Sequence, residues 1–266
     1  MGWIPRLRRP PETPLNIVTP TEYETGYVKL MIMFGLPLTD PAEEASVPPG
    51  MIVRGDWERI VTMRPDDYGY PWGVLPRLVL LWLAKQARES GSPVIDLGAS
   101  PQEFVEQLGS PDASISDVLW QAQRLFGASL TLGDATVSGS KPITIRMHVA
   151  KDFRFWDGER GQVTLAEHLF RSVCEHPAPI DWEAVKGGRL PAMAIDVYAW
   201  LNLRTRGHEI TAPERIPWGR LYELFGHNMP MERFERDFAE AIRRTAVLVP
   251  EVAVGITPAG ATLTRG

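Results

Sequence analysis

Apolar positions along the 266-residue chain fall into two successive helical triplets, each followed by alternating stretches. The clearer triplet lies between Leu190 and Thr264. Pro191 opens a helix over Ala192–Arg206 that Gly207 ends, Ile216-Pro217 leads into a short helix to Phe225 that Gly226 ends, and Met231 to Ala246 forms a third. Val247–Val249 and Val252–Ile256 then alternate as strands, and Pro258-Ala259-Gly260 turns the chain into Ala261–Thr264. Three helices closed by a hairpin is the order of a winged helix, a helix-turn-helix variant.

A looser copy precedes it. Tyr27–Leu36 is β-prone, Pro37 to Gly50 reads as a loop, Met51–Met63 as a strand or hairpin, and Asp66 to Gly73 as a turn. Leu75 to Ser90 carries an apolar stripe broad enough to demand burial, and Gly91 ends it. Val94–Leu97 is a short strand. Ser100 and Glu103 form a capping box at the start of Pro101–Leu108, and Ser114 or Ser116 caps a third helix to Phe126. Ser129–Leu132 and Ile143–Val149 read as a hairpin joined by Gly133 to Pro142. Lys151–Gly161 turns around Asp157-Gly158 into a strand from Gln162 and a segment to His176, and Trp182–Lys186 precedes a Gly187-Gly188 break. Gly109 and Gly226 stand 117 residues apart, as do Leu83 and Trp200, Phe104 and Leu221, Leu108 and Phe225, and Leu130 and Leu132 with Val247 and Val249. The expected fold is α+β: tandem winged-helix domains, mostly helical, with small antiparallel sheets and β-hairpin wings. The expected organisation is a proline-rich arm and first strand over 1–50, a first winged helix over 51–176 and a second over 177–266, with Pro177 and Pro179 marking the boundary.

Charge narrows the partners. The net charge of −5 gives no general support to nucleic-acid binding, which rests largely on basic residues that displace counterions. Residues 181–266 hold eleven Lys/Arg and eleven Asp/Glu, so the rest of the chain carries the whole deficit. A single cysteine, Cys174, excludes an internal disulfide framework and a multi-cysteine zinc site. The first twenty residues show no apolar run of the signal-peptide kind, and no apolar stretch has the length of a membrane span, so a soluble cytoplasmic protein is expected.

The helix from Met231 divides sharply. Met231, Phe234, Phe238, Ala241, Ile242 and Thr245 fall on one side, and Arg233, Arg236, Arg243 and Arg244 on the other. That is the division of a helix packed on a small core while offering arginines to base edges or phosphates. Asp237 and Glu240 share the basic face, and Glu232–Arg236 and Glu240–Arg244 have i,i+4 spacing, which also suits a solvated, salt-bridged surface. Thr257, Thr262, Thr264 and Arg265 would lie at the tip and tail of the wing. In the upstream copy Val118, Leu119, Ala122, Leu125 and Phe126 pack inward, leaving Asp117, Gln121 and Arg124 outward. One arginine beside one aspartate is a poor phosphate clamp. Trp82, Trp120 and Trp200 sit on apolar faces. Arg6, Arg8 and Arg9, within an arm holding five of the 24 prolines, offer a further phosphate or minor-groove contact, or a solvated tail.

Enzymatic chemistry finds little support. The five histidines lack metal-ligand spacing, and neither a phosphate-binding loop nor a nucleophile elbow is present. Asp152, Asp157 and Glu159 alternate with Arg154 and Arg160, as in a solvated turn. The reading is of a non-enzyme with no cofactor and no metal.

Several runs resemble the RepA-type plasmid replication initiators. They are Gly69 to Arg77 with Leu78 to Ala87, Phe104 to Gly109, Arg124 to Gly127, Ala194 to Leu201, and Ile216-Pro217-Trp218 with Leu224-Phe225-Gly226. The resemblance covers about Arg54 to Thr264 in unbroken order. It departs over Pro111 to Asp117, where the family is richer in glycine and basic residues. The resemblance implies a non-enzymatic initiator that binds repeated origin sequences in double-stranded DNA, helps open adjacent duplex and brings in host replication proteins such as a helicase or another initiator. Many such proteins also repress their own promoters as dimers, so a homodimer is implied. A transcriptional repressor of the same architecture and a protein-interaction module that binds no DNA are the competing readings.

Overall fold

The chain is described by a computed structural model over residues 36–41, 52–55, 59–65, 67–110, 113–134, 143–175, 180–207, 210, 212–226 and 229–266. The basic arm with Arg6, Arg8 and Arg9, nearly all of the β-prone run from Tyr27, and the prolines at the expected boundary lie outside these residues.

A short hairpin, β1 (Ile52–Gly55) and β2 (Arg59–Arg64), leads to helix α1 (Val74–Ser90). Pro76 is accommodated in the first turn of α1, where its missing N–H removes no intrahelical bond. Gly91 ends α1 in the left-handed region, its N–H bonded to Ala87 O. Strand β3 (Val94–Gly98) precedes α2 (Pro101–Leu108). The expected cap forms with one shift: Glu103 N–H donates to Ser100 Oγ at 3.2 Å, while the Glu103 carboxylate reaches one residue beyond the N-cap and accepts from Ala99 N–H at 2.6 Å. Ser114 caps α3 (Ile115–Gly127). Then come β4 (Ser129–Asp134), β5 (Ile143–His148), β6 (Ala150–Arg154) and β7 (Gly161–Leu165). Helix α4 (Glu167–Glu175) and the single turn α5 (Trp182–Val185) connect to the second triplet. That triplet is α6 (Ala192–Gly207), β8 (Glu214–Pro217), α7 (Trp218–Phe225) and α8 (Met231–Thr245), followed by β9 (Val252–Thr257) and β10 (Gly260–Arg265).

Sheet order confirms two winged helices in tandem. The first sheet runs β3-β7-β6 and the second β8-β10-β9, so in each the last strand of the wing lies between its hairpin partner and the strand after the first helix. Both sheets are antiparallel.

The internal repeat holds, with two corrections. Buried Val118, Ala122, Leu125 and Phe126 of α3 match buried Phe234, Phe238, Ala241 and Ile242 of α8 at a spacing of 116 rather than 117, because the upstream loop before α3 is one residue longer. The match also ends with these helices. Leu130 pairs with Met63 in a four-stranded sheet of order β1-β2-β4-β5. Val247 instead lies in a 3-10 turn over Ala246–Leu248, 78% exposed. The hairpin read from Ser129 to Val149 therefore forms, but it is an insertion; the first wing is β6–β7. The helix α4 and strand β8 fall in stretches whose sequence did not announce them.

Each half has an aromatic core. In the first, Trp82 meets Phe104 edge-on at 5.4 Å, and Phe153 of the wing meets Phe126 of α3 at 5.3 Å. In the second, Trp200, Trp218, Phe225, Phe234 and Phe238 form a cluster of edge-to-face and tilted ring pairs at 5.4–6.3 Å between centroids. This cluster fixes α8 against α6 and α7.

The two halves are joined by a buried ion pair. Arg77 of α1 holds Asp196 of α6 in a two-point contact, Nε to Oδ1 at 2.8 Å and Nη2 to Oδ2 at 2.7 Å. The remaining guanidinium hydrogens donate to the carbonyls of Leu36, Pro37 and Gly73 at 2.7, 3.1 and 2.8 Å. Both side chains are essentially inaccessible. Burial pushes the Asp196 carboxyl up to about 6 against the pull of Arg77, so at neutral pH it stays ionised and paired. Replacing Arg77 with Met leaves a buried carboxylate without its partner, and urea unfolding is expected to report a loss of about 3–5 kcal/mol. The double replacement Arg77→Met with Asp196→Leu should cost clearly less than the sum of the two single changes.

Candidate nucleic-acid interface

Helix α8 occupies the recognition position of the second winged helix. Its inward face is Phe234, Phe238, Ala241, Ile242 and Thr245, all buried, with Thr245 Oγ1 donating to Ala241 O at 2.8 Å. Met231 does not join them and is 40% exposed at the start of the helix. Opposite the buried stripe stand Arg236 and Arg243, with side chains 71% and 67% exposed. Arg233 and Arg244 flank them on one side. Together with Asp237 and Glu240 these two line a groove of about 310 Å³ against Leu38 and the first turn of α6.

All four arginines are bridged to the two acids of their own helix. Asp237 takes Arg233 at 3.4 Å and Arg236 at 3.1 Å, and Glu240 takes Arg243 at 2.7 Å and Arg244 at 2.8 Å. Arg236 thus turns to Asp237 rather than to Glu232, whereas the expected Glu240–Arg244 pair forms. The Arg243 and Arg244 guanidiniums hold the Glu240 carboxyl below its usual range. Bridges this exposed are weak and exchange readily with solvent and ions. The face is therefore rich in arginine but half neutralised, four guanidiniums sharing two carboxylates.

The second wing is a tight hairpin. Thr257 and Gly260 face each other across Pro258-Ala259, and Thr257 Oγ1 donates to Gly260 O at 3.0 Å. Gly260 has φ +144°, and a Cβ there would sit 2.0 Å from Ile216 O, so no other residue fits. Trp218 Nε1 donates to Thr257 O at 3.2 Å, fastening the tip to the start of α7. Thr262 lies in the central strand opposite Gly255 and Arg215, and Arg265 pairs with Val252 at the end of the hairpin away from the tip. Of the wing residues, Thr257 alone is at the turn. The first wing has a longer connection, Phe155 to Arg160, fastened by Trp156 Nε1 to Gly98 O at 2.9 Å and by Arg160 to Asp96 at 2.7 Å.

The equivalent helix of the first half, α3, is built differently. Gln121, expected outward, is 6% exposed, and its Oε1 accepts from Trp72 N–H at 2.9 Å. Arg124 Nε donates to Tyr68 O at 2.8 Å, and its guanidinium lies 5.9 Å from the centre of the Trp120 ring. Both side chains hold the Asp67–Gly73 turn against α3. The cause is rotation: the buried face of α3 extends past Leu125 and Val118 to Gln121, and Trp120, expected on the apolar side, comes to the outward centre, 52% exposed. Gln121, Arg124 and the arginines of α8 thus lie on different winged helices and do not form one cluster. Among the described residues, no group of three or more His, Cys, Asp or Glu side chains is placed to hold a metal ion.

Sequence reasoning passed over Arg77 and Asp196. Their signal was available: one arginine and one aspartate, each inside an otherwise apolar helical run.

No protein-family model and no curated protein matches the chain. Among solved structures it is similar to a selenomethionine derivative of domains 2 and 3 of RctB, with a TM-score of 0.58 and 12% identity over 85% of this chain and 88% of that one. A second structure of RctB domains 2–3, spanning its residues 155–483, matches with a TM-score of 0.57 and 10% identity over 88% and 94%. At this identity the likeness is one of fold, and it extends through both winged helices. No helix among the described residues is long and apolar enough to cross a membrane.

Replacing Gln121 with Leu removes the acceptor for Trp72 N–H without changing charge. A loss of about 1–3 kcal/mol in denaturant unfolding is expected. An unchanged midpoint would return Gln121 to the list of surface residues.

Proposed function

We propose that the protein is a non-enzymatic replication initiator of plasmid type that binds repeated origin sequences in duplex DNA and helps bring host replication proteins to them. The observation that carries this reading is α8: a helix in the recognition position of a winged helix, anchored by an aromatic core, with Arg236 and Arg243 at the centre of its exposed face. Arg236 and Arg243 would reach base edges in the major groove, where arginine pairs bidentately with guanine, while Arg233 and Arg244 would meet phosphates. The similarity in fold to RctB, a replication initiator, supports the same role, as does the resemblance to RepA-type proteins. In this reading the protein works in the cytoplasm, without cofactor, and pairs with a second copy when it represses its own promoter. The first winged helix contributes scaffold or protein contact rather than base readout, since Gln121 and Arg124 are committed to the Asp67–Gly73 turn.

A protein-interaction module is the second reading, favoured by the pairing of every α8 arginine with an acid of the same helix. Mobility-shift titrations with duplexes covering any direct repeats that adjoin the coding region, run across salt, separate the two. Binding should weaken linearly in log–log form as salt rises. Replacing Arg236 or Arg243 with Ala should cost about 1–3 kcal/mol in affinity for the repeat and relax preference at one base pair. Absence of a shift at low salt would leave the interaction-module reading in its place.

A further inference from the structure

Asp237 and Glu240 stand in the same relation to the arginines around them. Each carboxylate bridges one arginine of the outward ridge and one that lines the groove beside α6: Asp237 joins Arg236 to Arg233, and Glu240 joins Arg243 to Arg244. Four guanidiniums share two carboxylates, and both ridge arginines are held from within their own helix. A guanidinium offers a carboxylate the same planar donors that it offers a phosphate or a guanine edge. The acids therefore occupy the Nε edge of each guanidinium, donors that a duplex would also use. A phosphate arriving without matching bases exchanges one anionic partner for another and is repelled by the two carboxylates beside it. A duplex that presents bidentate base edges to Arg236 and Arg243 together gains contacts that the carboxylates do not supply.

We propose that Asp237 and Glu240 are specificity-determining residues of this face, suppressing attachment to duplex of unrelated sequence by competing with phosphates for the ridge arginines and repelling them, a penalty that only the right base edges offset. The inference rests on the duplex-binding reading above. It assigns the two acids a role separate from contact with DNA, and it accounts for a recognition face with no net basic excess beyond two charges.

The test measures binding of the full chain to a random-sequence duplex across salt, for the wild type, Asp237→Asn with Glu240→Gln, and Glu106→Gln with Glu175→Gln. The last variant removes the same charge from exposed positions on α2 and α4 of the first half. The α8 variant should bind random duplex roughly tenfold tighter, with a salt dependence steeper by about two phosphate contacts, and the control should gain far less. Equal gains in the two variants would reduce the effect to net charge and overturn the proposal. No gain in the α8 variant, in a protein whose binding is weakened by Arg236→Ala and Arg243→Ala, would overturn it while leaving the duplex reading standing. If neither the wild type nor any variant binds duplex at low salt, both readings fall together.

Discussion

The Arg77–Asp196 pair is the constraint that the tandem arrangement depends on. An arginine and an aspartate taken fully out of water are each costly, and they are tolerated here because their hydrogen-bonding capacity is met almost completely. Meeting it requires α1, α6, the Leu36–Pro37 segment and the Gly73 carbonyl to be in place at once. The first helices of the two winged helices are therefore held in fixed register by a polar contact rather than by apolar packing alone. Apolar surfaces slide at little cost, whereas a two-point guanidinium–carboxylate contact has one geometry.

Much of this architecture was legible. The helices of both triplets, the capping box at Ser100, the Pro258-Ala259-Gly260 turn and the apolar stripe of α8 all declare themselves through local chemistry and periodicity. What stayed hidden depends on contacts distant in sequence. The offset of 117 relates Leu130 to Val247, yet Leu130 lies in a strand defined by its distant pairing with β2, whereas Val247 lies in a local turn that continues α8. The rotation of α3 that buries Gln121 is set by the Asp67–Gly73 turn more than forty residues upstream. Gly226 ends its helix at the position matching Gly109, but where Gly109 has φ +64° Gly226 has φ −69°, and its lack of a Cβ serves the Tyr222 ring, 2.4 Å from where that carbon would sit.

The candidate site was legible in residue type and not in state. Periodicity placed Arg233, Arg236, Arg243 and Arg244 opposite the core, where the structure has them. It did not say that Asp237 and Glu240 would engage all four, because i,i+1, i,i+3 and i,i+4 partners compete on a helix surface and the choice turns on rotamers. The two halves thus share a scaffold and differ at the corresponding helix: Trp120 and a structural Gln121 in one, an arginine ridge in the other.

In the proposed duplex-binding role, the short second wing would limit how much sequence one copy reads. With Pro258 and Ala259 alone between its strands, and Trp218 fastening the tip, this hairpin has no spare length to follow a minor groove. The fifteen-residue α8 spans about 22 Å, and a recognition helix brings only about three or four side chains to base edges. If α8 reads duplex as proposed, so small a footprint would carry too little information to mark one location in a genome. In that reading its selectivity would come from multiplicity, with several copies counted along an array of short, identical sites.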